Sequence, residues 1–182
     1  MRKLLVVVDM QNDFITGNLG SPQAQAIVPA VRAKIDEHTK NGSILIYTRD
    51  AHNANYLETQ EGKHLPVEHC IVGTEGYKIE ASLYVSKNFY TMDKPSFGSL
   101  ALAEACARHV KQEGVEEIEI VGLCTDICVV SNALIIKAAL PEIPVTVDAA
   151  CCAGVTDESH RTALLTMKMC QVIIAGEEVL AE

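Results

Sequence analysis

Residues able to do acid–base and nucleophilic chemistry follow directly after several short apolar runs of the chain. These are Asp9 after residues 4–8, Asp50 and His52 after residues 44–48, Cys124 and Cys128 after residues 118–121, and Asp148 after residues 145–147. If the runs are strands of a parallel sheet, their carboxyl ends meet at one edge, which is where such sheets bind ligands. The spacing therefore predicts that these side chains gather at one reaction centre.

Cys128 is the candidate nucleophile. If Thr125 or Asp126 caps a helix, Cys128 lies in its first turn, where free N–H groups and the helix dipole favour a thiolate. The same N–H groups could bind an oxyanion. A structural role stays open, because cysteine often serves as a small buried apolar residue and the neighbouring Asp126 opposes thiolate formation.

The other candidates are less specific when each is taken alone. Asp9 is either a base at a strand end or a carboxylate that caps a loop, and Lys94 is typical of a surface lysine. Asp50, His52 and His69 could bind a divalent cation, since imidazole and carboxylate suit zinc, iron or manganese. The spacing Asp-x-His is common, however, and does not establish a metal site.

The remaining cysteines and His64 lack such a context. We expect His64 to be exposed to solvent. A disulfide between the adjacent Cys151 and Cys152 would be strained, so we expect both to serve as packing residues. We expect the same of the three other thiols, which are Cys70, Cys106 and Cys170.

The elements that must position these residues alternate between strand and helix. Strands are predicted at 4–8, 44–48, 118–121, 145–147 and 172–175, with a weaker one near 84–87. The predicted helices are one that begins near Pro29, one with the apolar face Leu100, Ala103, Ala107 and Val110 that ends at Gly114, one over 127–139, and one over 160–169. This alternation predicts a parallel sheet covered by helices on both faces. The polar segment 49–82 interrupts it, and insertions of that length are usually functional.

Composition limits the class of protein. The 182 residues, 48% hydrophobic and 21% charged, predict one globular domain over 1–182. A net charge of -9 argues against nucleic acid or an anionic membrane as the partner. No run approaches the roughly 18 apolar residues of a membrane span. Seven cysteines without a secretory context predict reduced thiols in the cytoplasm.

Two alternatives for a parallel sheet fail on particular residues. A dinucleotide site would need G-x-G-x-x-G after the first strand, but residues 9–14 contain no glycine. A phosphotransferase with two aspartates one residue apart would fit Asp9, but the second position is Gln11.

Five segments together resemble the isochorismatase-like cysteine hydrolases, and within them the nicotinamidase-related amidases. They are VVVDMQNDF at 6–14, YTRDAH at 47–52, EGKHLPVEHCIVGTEG at 61–76, DKPSFGS at 93–99 and VGLCTDICV at 121–129. They occur in the order of the family and span about residues 4–152. The resemblance implies a three-layer α/β/α fold with a six-stranded, mostly parallel sheet.

The resemblance also implies roles for particular residues. The implied catalytic residues are Asp9, Lys94 and Cys128, with the backbone N–H groups of Cys124 and Cys128 as an oxyanion hole and a cis Leu123–Cys124 peptide. The implied ligands of a divalent metal, zinc first and iron or manganese as alternatives, are Asp50, His52 and His69, with Glu61 as the fourth candidate. Phe14 would line the substrate pocket, where Leu19 and Phe97 could complete an apolar wall.

The expected activity is hydrolysis of a small carboxamide through a thioester, with release of ammonia and with nicotinamide as the leading substrate. Nicotinamidases usually carry an aromatic residue, often Trp, before the second metal-binding segment; this chain has no Trp and has His64 to His69 there. We therefore expect weaker binding of nicotinamide. Another small amide or a ureide is an alternative substrate, whereas the cysteine and the metal ligands argue against isochorismate. A non-enzymatic metal-binding or oligomeric interaction domain is a further alternative. We also expect a homo-oligomer.

Overall fold

The computed structural model describes residues 2–85 and 89–176, and these form a parallel sheet with helices on both faces. The strands are β1 (Arg2–Val8), β2 (Ile44–Asp50), β3 (Phe89–Lys94), β4 (Val115–Leu123), β5 (Val145–Ala153) and β6 (Ile173–Ala175). The helices are α1 (Asn12–Ile15), α2 (Pro22–Lys40), α3 (Gln60–His64), α4 (Leu100–Glu113), α5 (Val130–Ala139) and α6 (Asp157–Met169). The predicted six-stranded, three-layer fold is confirmed, and every strand pair of the described sheet is parallel.

The strand order β3-β2-β1-β4-β5-β6 creates a crevice at the centre of the sheet. The chain moves outward from β1 to β3 and then returns to place β4 beside β1. At such a reversal the connections leave in opposite directions, so the carboxyl ends of the two strands lie open to a ligand. The close approach is visible at Gly122, where φ is 122° and an added Cβ would lie 2.1 Å from the Val8 carbonyl oxygen.

Two apolar cores lie on the two faces of the sheet. Successive residues of β1 alternate between them, with Leu4 and Val6 in one core and Leu5 and Val7 in the other. The first core contains α4, α5 and α6, and the second contains α2. A central strand buried on both faces gives a continuous apolar run, which is why β1 could be found from the sequence.

The helix predicted to begin near Pro29 begins seven residues earlier, so that prediction is wrong. Ser21 caps α2 by accepting a hydrogen bond from the Ala24 N–H, and Pro22 occupies the first turn, where its missing N–H costs nothing. Pro29 lies inside the helix. Ala24 and Ile27 are buried in the core beneath α2, and this packing stabilises the turns that precede Pro29.

The weak strand near 84–87 is also misplaced. Tyr84 and Val85 are outside any strand, and residues 86 and 87 lie outside the described part of the chain; the strand that pairs with β2 is Phe89–Lys94. As an edge strand it is mostly exposed, so it has no continuous apolar run to mark it.

The predicted apolar face of α4 is only partly correct. Gly114 ends the helix in the left-handed conformation, with φ 68°, as expected. Leu100, however, is 73% exposed, and the buried residues are Leu102, Ala103, Ala105 and Cys106. The segment is apolar on more than one side, so spacing alone could not choose the buried face.

The thiols divide as predicted with one exception. Cys70, Cys106, Cys151 and Cys152 are buried and unpaired, but Cys170 is exposed because it lies just beyond the last residue of α6. His64 is exposed, as expected. No helix in the described ranges is both long and apolar enough to cross a membrane.

Candidate active site

Four neighbouring strands deliver the predicted residues to the crevice. Asp9 follows β1, Asp50 and Lys94 are the last residues of β2 and β3, and Cys124 follows β4. Asp50 and Lys94 are directly paired in the strand register. Because all four strands run in the same direction, their ends meet at one edge, as the sequence predicted.

Asp9, Lys94 and Cys128 are in mutual contact. The Lys94 Nζ lies 2.6 Å from Asp9 Oδ2 and donates a 3.4 Å hydrogen bond to the Cys128 Sγ. The three residues are at most 5% exposed, so Lys94 is not the surface lysine that its local sequence suggests. The Ser96 carbonyl also accepts a hydrogen bond from Nζ, which fixes the ammonium between the carboxylate and the thiol.

Thr48 orients the Asp9 carboxylate. Its hydroxyl donates a 2.7 Å hydrogen bond to Asp9 Oδ1 and accepts one from the Asp9 N–H. Asp9 has φ 47°, a left-handed conformation that costs a non-glycine residue on the order of 1 kcal/mol. The surrounding hydrogen bonds hold this conformation. Oδ2 therefore faces Lys94 and Cys128, with no well-aligned hydrogen bond of its own among the described residues.

Burial determines the charge state of the three residues. Burial raises the pKa of Asp9, and the Lys94 ammonium offsets this only in part. For Lys94, burial alone would lower the pKa, but Asp9 and Cys128 raise it, so the ammonium stays protonated. Burial and the Asp9 charge raise the pKa of Cys128 well above its ordinary value, although Lys94 opposes them.

The surroundings of Cys128 therefore oppose the thiolate that a helix terminus was expected to favour. The prediction came from the helix terminus alone, but Cys128 is enclosed by apolar residues and sits beside Asp9. Burial and the Asp9 charge therefore favour the neutral thiol of Cys128, and the Lys94 ammonium opposes them.

Cys128 lies in a π-helical turn, Thr125–Val129, that leads into α5. The predicted side-chain cap is absent, because Cys124 occupies the cap position and its side chain makes no capping hydrogen bond. Thr125 instead shares a 2.8 Å hydrogen bond with His160, and Asp126 accepts hydrogen bonds from the Val155 N–H and the Ser159 hydroxyl. Asp126 is thus turned toward α6. The Leu123–Cys124 peptide is cis, as expected.

Asn132 connects the turn to the loop after Lys94, and sequence reasoning missed it. Its side-chain amide donates hydrogen bonds to the carbonyls of Phe97 and Cys128, and its oxygen accepts one from the Ser99 N–H. It is fully buried. The feature that could have indicated it is an asparagine one helical turn after Cys128, a spacing that places two side chains on the same face of a helix.

Gln11 is a second positioning residue that sequence reasoning missed. Its amide donates to the carbonyls of Asp50 and Tyr77, and its oxygen accepts a 2.7 Å hydrogen bond from the Asp50 N–H. This side chain therefore joins the end of β2 to Tyr77, near the other end of the segment 49–82.

Asp50, His52, Glu61 and His69 form one cluster beside Lys94. One potential ligand atom from each of the four lies within 4.8 Å of all the others. His52 Nε2 is 2.9 Å from Asp50 Oδ2, and Glu61 Oε1 is 3.6 Å from the Nε2 atoms of both histidines. The segment 49–82 supplies all four: Asp50 ends β2, His52 pairs with Ile71, α3 carries Glu61, and His69 lies in the following loop.

The donor set fits a divalent cation. Two imidazole nitrogens and two carboxylates are the ligands that zinc, iron and manganese accept. His69 Nδ1 donates to the Val67 carbonyl at 2.8 Å, which leaves Nε2 free to bind a metal, as in established metal sites. Burial and the Asp50 charge raise the pKa of Glu61. A bound cation would offset the repulsion between these two carboxylates.

A cavity of about 800 Å³ opens above these residues. Asp50, His69 and Cys128 lie at its inner end. Its apolar walls include all three pocket residues predicted from the sequence; the large apolar residues that line it are Phe14, Leu19, Leu65, Phe97, Leu123, Ile127 and Val155. Cys124 lines it as well.

Comparisons with known proteins agree with this fold. The isochorismatase domain matches residues 3–178. The nicotinamidase/pyrazinamidase of Mycobacterium tuberculosis is 29% identical over 147 residues, covering 72% of this chain and 76% of that protein. The nicotinamidase of Escherichia coli is 25% identical over 194 residues, covering 92% and 90%.

Two solved structures extend the likeness to almost the whole chain. Nicotinamidase/pyrazinamidase PncA from Bacillus subtilis superposes with a TM-score of 0.82 at 26% identity, covering 96% of this chain and 100% of that one. Pyrazinamidase of Pyrococcus horikoshii in complex with zinc gives 0.80 at 26% identity, covering 96% and 99%.

The fold and these relatives define the class of protein: it is a hydrolase built on a three-layer α/β/α sheet. The chain belongs to the isochorismatase family, whose amidohydrolases act on C–N bonds. The resemblance noted in the sequence is confirmed.

Proposed function

We propose that the protein hydrolyses a small primary carboxamide through a cysteine thioester and releases ammonia, with nicotinamide as the leading substrate. The observation that carries the proposal is the contact among Asp9, Lys94 and Cys128 at the inner end of an apolar cavity. These are a base, a cation and a nucleophile within reach of one bound amide.

Acylation begins with proton transfer from Cys128 to Asp9. The raised pKa of Asp9 and its available Oδ2 suit it to accept the proton, and Lys94 stabilises the thiolate as it forms. The sulfur attacks the carboxamide carbon. We assign the developing negative oxygen to the backbone N–H groups of Cys124 and Cys128. Asp9 then returns its proton to the amide nitrogen, so that the C–N bond breaks and ammonia leaves.

Deacylation repeats the proton transfers with water as the nucleophile. Asp9 takes a proton from the water, whose oxygen attacks the thioester carbon. The C–S bond breaks, the product acid leaves, and the proton returns to the Cys128 sulfur. The Lys94 ammonium holds the negative charge in both half-reactions, which its raised pKa permits.

We assign the metal site to Asp50, His52 and His69, with Glu61 as the fourth ligand, and zinc as the ion. Support comes from the convergence of the four donors and from the zinc-bound pyrazinamidase of similar fold. When bound, the ion supplies a positive charge for a lone pair of the substrate, such as that of a ring nitrogen.

Nicotinamide is favoured by the relatives and by the absence of lysine and arginine among the described residues that line the cavity. The curated relatives above are named nicotinamidases. No lysine or arginine is among the described residues that line the cavity, which disfavours a dianion such as isochorismate. Phe14 and Phe97 provide aromatic wall, but no Trp is available to stack, so affinity falls by about tenfold relative to a Trp-bearing relative.

Ammonia release from millimolar nicotinamide tests the proposal. We expect turnover by the parent protein and none by Cys128→Ala, while Cys106→Ala, a buried thiol outside the cavity, keeps it. An active protein that releases ammonia from another small amide but not from nicotinamide would restrict the proposal to the broader amidase activity. Full turnover by Cys128→Ala would refute the thioester mechanism.

Three further expectations stay predictions: one domain over 1–182, a homo-oligomeric state and a cytoplasmic location. The last is supported by the seven cysteines, which are all unpaired.

A further inference from the structure

The cavity above Cys128 is larger than a single-ring amide requires. Its volume of about 800 Å³ lies in the range of pockets that bind drug-sized ligands. A one-ring carboxamide has roughly nine non-hydrogen atoms and, at the roughly 30 Å³ that a water molecule occupies in the liquid, fills about a third of that space. Most of the cavity is left for another part of the substrate.

The remaining space is bounded by apolar side chains that reach the surface. Leu65, Phe97 and Val155 at the rim are 38%, 43% and 60% exposed. They share one cavity with the half-buried Leu19 and Ile127, which lie deeper. Contiguous exposed apolar surface of this kind usually marks a binding site. Here the surface is continuous with the reaction centre, so the group that covers it is part of the substrate.

The charges of the cavity limit the chemistry of that group. The lining residues in the described ranges include the carboxylates Asp50 and Glu61 but no lysine or arginine. An anionic substituent bound against the apolar side chains of the rim would lose its hydration without gaining a lysine or arginine as a partner, which is costly. An uncharged apolar chain incurs no such cost and gains the free energy of leaving water.

We infer that the substrates of this site are uncharged primary carboxamides whose acyl group carries an apolar extension several carbon atoms longer than a single ring. The inference rests on the amide hydrolysis proposed above and concerns the group attached to the carbonyl. Leu65 and Val155 are then specificity-determining residues, because they contact that extension and not the reacting atoms.

A series of straight-chain primary amides tests the inference on the full chain with zinc supplied. Complete burial of one methylene is worth about fourfold in affinity, and the partly exposed rim reduces this to about twofold. We expect kcat/KM to rise on the order of 30-fold from propanamide to octanamide. The monoamide of octanedioic acid has a similar length with an anionic end, and we expect it to lose that gain.

Leu65→Ala and Leu165→Ala form a matched pair of variants. Both leucines are substantially exposed, but only Leu65 lines the cavity, whereas Leu165 lies on α6 outside it. We expect Leu65→Ala to lower the octanamide-to-propanamide ratio about threefold, and Leu165→Ala to leave it unchanged.

The outcomes separate this inference from the proposed function. Hydrolysis of nicotinamide and propanamide with a rate that is flat or falling with chain length overturns the inference and leaves the proposed function intact. Equal rates for octanamide and the octanedioic monoamide overturn its statement about charge. Absence of ammonia from every amide, nicotinamide included, refutes the proposed function and the inference with it.

Discussion

Replacement of Lys94 by methionine tests whether a buried ion pair organises the centre. Methionine keeps much of the length of the side chain and removes its charge. Lys94 and Asp9 are 1% and 0% exposed, and their charged atoms are 2.6 Å apart. At an effective dielectric constant of about 20 their attraction is about 6 kcal/mol, most of which offsets the cost of burying both charges.

Loss of the cation leaves the Asp9 carboxylate buried without compensation. Breaking a buried pair in this way costs about 3–5 kcal/mol of the free energy of unfolding, a large part of the 5–15 kcal/mol typical of a domain. We expect Lys94→Met to lose that amount and to be inactive. Lys111→Met, on the exposed side of α4, is the control and should unfold like the parent.

The loss should depend on pH with a definite sign. Burial already raises the pKa of Asp9 above 3.8, and removal of the ammonium raises it further. The folded variant then binds a proton that the unfolded chain releases, so its free energy of unfolding increases as the pH falls through the raised pKa toward 3.8. At pH values above that pKa, Lys94→Met shows its full loss of the free energy of unfolding.

Urea unfolding at several pH values measures this, with the double variant Asp9→Asn/Lys94→Met as the decisive comparison. Removing both charges leaves no uncompensated carboxylate at Asp9, so the double variant should be about 2 kcal/mol more stable than Lys94→Met and equally inactive. A double variant no more stable than the single one, or a Lys94→Met protein within 1 kcal/mol of the parent with normal turnover, would refute the reasoning.

Three other predictions follow from the site. Burial and Asp9 raise the pKa of Cys128, so the rate of its alkylation by iodoacetamide, measured by mass spectrometry of its peptide, should still increase with pH at pH 9. Asp9→Asn should move this pH profile to lower pH, and a plateau near pH 7 in the parent would contradict the prediction. The parent should bind about one equivalent of zinc, and chelator competition should show that His69→Ala binds zinc at least tenfold more weakly. A parent protein that holds less than about a tenth of an equivalent after incubation with excess zinc would exclude the metal site. Asn132→Ala should lower kcat about 10- to 100-fold with little change in KM, because the Phe97 and Cys128 carbonyls lose their shared donor. Ser131→Ala removes only a hydrogen bond to the Ile127 carbonyl one turn earlier and makes no link to the loop after Lys94, so it should keep the parent rate; equal kcat values for the two variants would exclude the positioning role.

The sequence by itself determined the sheet and most of the residues at its edge. Central strands of a parallel sheet are buried on both faces, so β1 and β4 appear as apolar runs that can be found without a structure. Once these strands are known to be parallel, Asp9, Asp50 and the turn that contains Cys128 must lie at one edge. This follows from strand direction alone, so it needed no knowledge of side-chain packing.

Tertiary structure alone decided which side chains touch and in what charge state. Lys94 ends an edge strand with no apolar run, and Asn132 lies on the helix after Cys128, so neither contact could be derived from local spacing. Glu61 reaches the histidines through the folding of the segment 49–82, for which the sequence has no periodicity. The pKa of Cys128 is raised, whereas a helix terminus alone would lower it. The sequence shows the helix terminus because it is local, but burial and the Asp9 charge come from distant parts of the chain that only packing brings together.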